Sequence, residues 1–398
     1  MESVCGFDEA SKARNKTRVA EEPKAQMDKI TLIGCGRLGL CTALCWERAG
    51  YEVLAVDINK SYVNSLNDKT FYSTEPRVME FFHASTKFKA TTDISAGITH
   101  SDLIFILVDT PSTGGDRHYD VSRLGKVLNR INDHKVCNKH VVVGCTVMPG
   151  YCKNIGANLL RDCTNTTLSY NPEFIQQGDI IRGFLNPDMV LIGEGSKEVG
   201  DILESVYNRT VENEPVVSRM SPSSAEICKI SINCFITTKI SYANMVGDIA
   251  DSTPDADKHQ ILKAVGADSR IGKKCLMPGY GFGGPCFPRD NRALGGYAKT
   301  IGVKPLISIA TDEYNVEHTR RMIEDKLATD EAYYVLSDVA YKPKCPVPII
   351  EESQKLSVAA GIAKAGKPVT IRDRDFIVDA VRIEYGDMFN YEIVESLE

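Results

Sequence analysis

Residues 29–57 constrain this chain more than any other stretch. An apolar-rich run, Lys29–Ile33, leads into Gly34-Cys35-Gly36-Arg37-Leu38-Gly39. A helical pattern follows through Trp46 and stops at Gly50, and a second strand, Glu52–Val56, ends at Asp57. Strand, glycine-rich turn, helix, strand and acid in this order describe the first half of a dinucleotide fold. The first glycine permits a tight turn, the second lets backbone approach a pyrophosphate, and the third lets helix and strand pack closely. The helix N-terminus then faces the phosphate charge. Asp57 falls 18 residues after Gly39, close to the spacing of about 20 at which an acid reaches the ribose. A carboxylate there accepts bonds from a 2′-hydroxyl and repels a 2′-phosphate, so NAD is the expected cofactor. Arg37 and Leu38, inside the turn, belong to the same expected site.

More strand–helix units follow. Residues 103–108 form a continuous apolar run, as a central parallel strand does. It ends in Asp109-Thr110-Pro111-Ser112. Residues 140–144 end in Cys145-Thr146-Val147-Met148-Pro149-Gly150, and Thr167–Tyr170 leads to Asn171-Pro172-Glu173-Phe174. One polar residue past a strand is usually a cap. Thr110, Thr146 and Glu173 past three successive strands point to a shared crevice, because open α/β sheets bind ligands outside the carboxyl ends of their strands.

Ser221-Pro222 is a helix start, with a capping serine and proline in the first turn. The pattern runs from 223 to about 250, long enough to bridge domains or carry a subunit interface. Lys229 and Asn233 share one face at i, i+4, with Ile227, Ile230, Cys234 and Ile240 as apolar neighbours. A lysine so placed is either a snorkelling surface group or a functional one.

Residues 281–290 read Gly281-Phe282-Gly283-Gly284-Pro285-Cys286-Phe287-Pro288-Arg289-Asp290. Glycine and proline favour neither helix nor strand, so this is a shaped loop. It either buries an inert cysteine or presents Cys286 as a nucleophile. Asp290 caps the following helix, takes part in proton transfer, or both.

The remaining composition narrows the class. A net charge of −6 and a pI near 5.8 give no reason to expect nucleic acid or an anionic membrane as partner, and no apolar run is long enough to span a bilayer. The thirteen cysteines are scattered, odd in number and without a CxxC pair, which argues against a disulfide framework or a zinc site and fits a reducing cytoplasm. Residues 1–26, polar and lacking the apolar core of a signal peptide, read as a disordered extension.

Seven motifs in order resemble the UDP-glucose/GDP-mannose dehydrogenase family: GCGRLG, VDTPS at 108–112, CTVMPG at 145–150, YNPEF at 170–174, EICKISIN at 226–233, DSRIG at 268–272 and GFGGPCFPRD at 281–290. The resemblance spans roughly 29–373. It implies an α/β architecture: a Rossmann-like NAD-binding domain (27–215), a helical middle domain built on the long helix (216–315), and a short C-terminal α/β domain (316–398) that holds the nucleotide sugar. It also implies a homodimer on the long helix and oxidation of a primary alcohol at C6 to a carboxylate with two NAD reduced. By the same resemblance, Cys286 forms a thiohemiacetal and then a thioester, and Lys229 and Asn233 stabilise the oxygen at C6. Asp290, Glu173 and Thr146 position or activate water. Arg289 joins the cofactor site, and Phe174, Arg270, Tyr280, Gly283 and Lys342 the substrate site, with Arg270 reaching across the dimer. The phenylalanine-rich cysteine loop is most similar to dehydrogenases acting on UDP-glucose; UDP-N-acetylhexosamine and GDP-mannose are the substrate alternatives. A two-electron β-hydroxyacid-type dehydrogenase and a non-catalytic binding protein are the competing functions.

Some positions depart from the family pattern. Gln177 stands where a glutamate is frequent, Arg289 where lysine is usual, and Asp338 where glycine is usual. No arginine falls in 346–353. A carboxylate at 338 would be expected to repel a pyrophosphate.

Overall fold

The computed structural model describes residues 27–113, 119–175 and 177–397; the extension expected over 1–26 lies outside them. Eight strands form one sheet: β1 (Lys29–Ile33), β2 (Glu52–Val56), β3 (Phe88–Thr91), β4 (Leu103–Ile106), β5 (His140–Val143), β6 (Thr167–Tyr170), β7 (Met189–Gly193) and β8 (Val216–Met220). Their order is β3-β2-β1-β4-β5-β6-β7-β8. All neighbours are parallel except β6 and β7, which meet antiparallel at Tyr170 and Gly193. The order reverses between β1 and β4, and a crevice opens at such a switch point beyond the strand ends.

The central strand β4 reads as an unbroken apolar run because helices cover both faces. Successive residues go to opposite sides: Leu103 and Phe105 join the core around Trp46, while Ile104 and Ile106 join the core around Leu124 and Leu128. The helix after β1, Arg37–Arg48, supplies Leu40, Leu44 and Trp46 to the first core.

The long helix runs Pro222–Asp251, with the Ser221 hydroxyl accepting from the Ser224 amide and proline in the first turn. Thirty residues extend about 45 Å at 1.5 Å each. Its inner face buries Ala225, Lys229, Ile230, Cys234 and Asn244. Ile227 was expected beside Lys229, but it is exposed, and so are Phe235, Tyr242 and Ile249. Seven- and eight-residue steps place those four on a single outward stripe. Two helices, Phe287–Thr300 and Leu306–Ala328, pack against the inner face.

A second sheet, order β11-β10-β9, is also parallel: β9 (Tyr334–Ser337), β10 (Val369–Asp373) and β11 (Asn390–Ile393). It has its own core around Val339, Val347, Leu356 and Ile371. Asp338 follows β9 with φ of 55°, a left-handed conformation that glycine adopts most easily. Its carboxylate does not face outward. One oxygen accepts from the Lys344 amide at 2.8 Å, and the other lies 3.8 Å from the Lys355 ammonium. The repulsion expected from Asp338 is therefore internally compensated. No helix among the described residues is long and apolar enough to cross a membrane.

Candidate active site

Each glycine of 34–39 has a distinct task. Gly34 has φ of +96°, and a Cβ on it would lie 2.5 Å from the Leu107 carbonyl oxygen beyond β4. A Cβ on Gly39 would lie 2.2 Å from the Gly34 oxygen, so the helix seats directly on its own turn. At Gly36 no atom of the described residues beyond its own chain neighbours lies within 4 Å of that position. The space over Gly36, at the start of the Arg37–Arg48 helix, fits a phosphate approached by backbone. At the end of β2 the Asp57 carboxylate accepts from the Cys35 amide at 3.1 Å and the Asn59 amide at 3.0 Å, which fixes the acid at the rim of the crevice. Thr110 is buried and donates to the Thr146 carbonyl at 2.8 Å, tying two of the expected strand ends together. Arg37 donates to the Gln177 side-chain oxygen at 3.0 Å. The residues thus fit a dinucleotide across the switch point.

The third strand end meets the long helix. Lys229 is buried; its ammonium donates to the Glu173 carbonyl at 2.6 Å and lies 4.5 Å from the centre of the Phe174 ring. Burial pushes its pKa below the ordinary lysine value, against the pull of Asp290 and Cys286. One helical turn on, the Asn233 amide donates to Asp290 Oδ2 at 2.6 Å. Asp290 is fully buried, and its other oxygen accepts from the Tyr119 hydroxyl at 2.8 Å and Arg289 Nε at 2.9 Å. Arg289 also lies over the Tyr119 ring, 4.9 Å from its centre. Asp290 is therefore not a helix cap. It joins the long helix, the cysteine helix and the segment after β4.

Cys286 occupies the N-cap of the Phe287–Thr300 helix, and its side chain makes no capping bond. It is exposed by area yet surrounded by protein, as a residue in an open cleft is. Burial raises its thiol pKa; Arg289 and Lys229 pull it down, while Asp290 and Glu351 push it further up. The loop before it is held by backbone bonds. Asn315 accepts from the Phe282 amide at 2.9 Å and donates to the Phe282 carbonyl at 3.0 Å. Asn244 accepts from the Gly279 amide at 2.9 Å, and the Gly284 amide donates to the Glu351 carbonyl at 3.0 Å. The loop glycines make room for protein: added Cβ atoms would meet Asn315 at Gly281, the Glu352 carbonyl at Gly283 and the Tyr341 ring at Gly284.

Two family models match this chain. The UDP-glucose/GDP-mannose dehydrogenase NAD binding domain covers residues 28–211, and the central domain of the same family covers 223–317. The chain belongs to the UDP-glucose/GDP-mannose dehydrogenase family. This is a family of NAD-dependent nucleotide-sugar dehydrogenases. The UDP-glucose 6-dehydrogenase AglM of Haloferax volcanii is 31% identical over 331 residues, 79% of this chain and 76% of that protein. The GDP-mannose 6-dehydrogenase of Pseudomonas syringae is 30% identical over 294 residues, 70% of this chain and 66% of that one. The structure of a UDP-glucose dehydrogenase from Pyrobaculum islandicum superposes with a TM-score of 0.83 at 26% identity, covering 95% of this chain and 88% of that chain.

For a member of this family, two expected substrate residues make their contacts outside the Lys229–Asn233–Asp290 cluster. Arg270 is exposed and bonded within its own turn to Asp268 at 3.0 and 2.7 Å. Lys342 lies where the C-terminal sheet meets the segment after β6, its ammonium 3.6 Å from the position of a Gly178 Cβ. Tyr280 packs against the C-terminal core with the Lys355 ammonium 5.4 Å from its ring centre. Three residues had not been expected: Tyr119, Asn315 and Tyr207, whose hydroxyl lies 3.0 Å from Glu173 Oε1. Tyr119 is 171 positions from its partner, and no local pattern marks such a pair.

Proposed function

We propose that this protein oxidises the C6 alcohol of a nucleotide sugar to a carboxylate in two steps, with UDP-glucose as the favoured substrate. The observation that carries the proposal is the convergence of Lys229 and the Asn233–Asp290 pair on the cleft that presents Cys286 at a helix N-terminus. Gly36 and Asp57 would hold NAD in the crevice, and the cofactor would supply the hydride acceptor for each oxidation. The rest of the chemistry falls to side chains. Lys229 and the second N–H of Asn233 stabilise the oxygen at C6, first as alkoxide and then as the oxyanion of a Cys286 adduct. The Cys286 thiolate adds to the aldehyde to give a thiohemiacetal; its oxidation leaves a thioester, which water hydrolyses.

Asp290 has both oxygens occupied and no exposure, so it serves as an anchor for Asn233 and Arg289. Thr146 helps to position water. Glu173 is the base. Burial pushes its pKa up to about 7, with the Tyr207 bond and Lys229 pulling the other way. A group near neutral can take a proton and return it.

The outward stripe of Ile227, Phe235, Tyr242 and Ile249 supports a homodimer along the long helix. Arg270 then completes the neighbouring site, and Lys342 and Tyr280 complete the nucleotide end. NADH release measured with UDP-glucose, UDP-N-acetylhexosamines and GDP-mannose tests the substrate. UDP-glucose is expected to give the highest kcat/KM. Preference for another sugar would overturn the substrate, and silence with all of them the activity.

A further inference from the structure

Three groups not on the cysteine loop form a chain behind Glu173. The Tyr207 hydroxyl lies 3.0 Å from Glu173 Oε1 and 2.9 Å from Asn171 Oδ1. Tyr207 and Asn171 are buried. The Tyr207 ring stacks on Phe184 at 5.9 Å within the core, so the phenol cannot swing away. Asn171 cannot flip either, because its amide donates to the Leu191 carbonyl at 2.9 Å and thereby aims its oxygen at Tyr207. The second oxygen of Glu173 meets no donor among the described residues, and it is not one of the sealed, unpaired atoms. It stays open to the cleft.

One hydroxyl has one proton and here has two acceptors. When Glu173 is a carboxylate, Tyr207 donates to it and Asn171 goes without. When Glu173 is a carboxylic acid, with the proton on the open Oε2, Oε1 is a weaker, uncharged acceptor, and the Tyr207 hydroxyl turns to Asn171. Neither state leaves a buried donor unpaired. We propose that Tyr207 and Asn171 are positioning residues, a two-position hydrogen-bond switch that lets Glu173 gain and lose a proton in place. The proposal rests on Glu173 acting as the base. Among the described residues, the other ionisable groups facing Glu173 are Lys229 on the long helix and Cys45 on the Arg37–Arg48 helix; neither takes part in the switch.

The two ends of the switch predict opposite shifts. Tyr207→Phe removes the donor to the carboxylate, so the ionised state loses support and the Glu173 midpoint moves up by about one unit. Asn171→Ala removes the acceptor that the neutral state needs, so the midpoint moves down. The readout is a titration of the whole protein labelled with carboxyl-¹³C glutamate, the Glu173 resonance being assigned by its loss in Glu173→Gln. It needs no turnover, so it can fail while the dehydrogenase reading stands, or succeed while that reading falls. The ascending limb of kcat against pH should move with the titration in each variant. Should Asn171→Ala not fold, by circular dichroism, Tyr207→Phe decides alone. An unchanged midpoint in Tyr207→Phe, or shifts of the same sign in both variants, overturns the switch.

Discussion

The two glycine-rich loops use the same residue for opposite ends. In 34–39, Gly36 opens onto empty space at a helix start, where a ligand can come close to backbone. In 281–284, all three glycines lie against protein: Asn315, the Glu352 carbonyl and the Tyr341 ring. The first loop is bare so that a cofactor can enter. The second is bare so that three neighbouring segments can grip it and hold the cysteine at a helix N-terminus. Glycine content alone does not separate the cases; what lies opposite the missing Cβ does.

Substitutions can break this contrast. The largest effect is expected at the residue the second loop presents. Cys286→Ser should lower steady-state NADH formation by at least about a thousand-fold, with thermal unfolding unchanged; retained turnover would support a two-electron dehydrogenase instead. Gly283→Ala is next. Its Cβ would lie 2.2 Å from a backbone oxygen, which cannot move as a side-chain tip does, so a loss of about 1–3 kcal/mol should show in denaturant unfolding. Gly36→Ala should do the reverse: unfolding stays as it was while KM for NAD rises about ten-fold. Similar phenotypes for the two alanine variants would remove the distinction.

The pH behaviour of the cysteine sharpens it further. Burial and Asp290 hold the Cys286 thiol above its ordinary value, so little is thiolate at neutral pH. Iodoacetamide labelling of Cys286, followed by peptide mass spectrometry, should keep rising with pH past the range of an ordinary thiol. A plateau near neutrality would mean that Arg289, Lys229 and the helix N-terminus outweigh burial. The smallest effect is expected at Asp338→Gly. Relief of the left-handed backbone opposes loss of the Lys344 bond and the Lys355 contact, so stability should stay within about 0.5 kcal/mol and nucleotide affinity should not rise.

Much of the fold was legible because apolar runs and glycine turns are local signals. β1, β2 and β6 begin and end as the sequence predicts, and Ser221-Pro222 marks the start of the long helix. The strands without such a signal are short and mixed. β3 carries an exposed Lys89, and β8 carries Arg219, which pairs with Glu194, Asp201 and Glu204 instead of packing. In the candidate site, the strand-end rule marked Thr110 and Thr146, which bond to one another, and Glu173, which meets Lys229; helical spacing put Lys229 and Asn233 on one face. The residues that hold those groups in place were not legible. Tyr119, Asn315 and Tyr207 come from other elements, and only the folded chain places Tyr119 beside Asp290 or Asn315 beside Phe282.

The central claim is that Cys286 carries one substrate through two oxidations. Counting NADH formed per nucleotide sugar consumed tests it most directly, with the sugar product identified by mass spectrometry. The account predicts two NADH and a uronic acid. One NADH with an aldehyde or ketone product would contradict it.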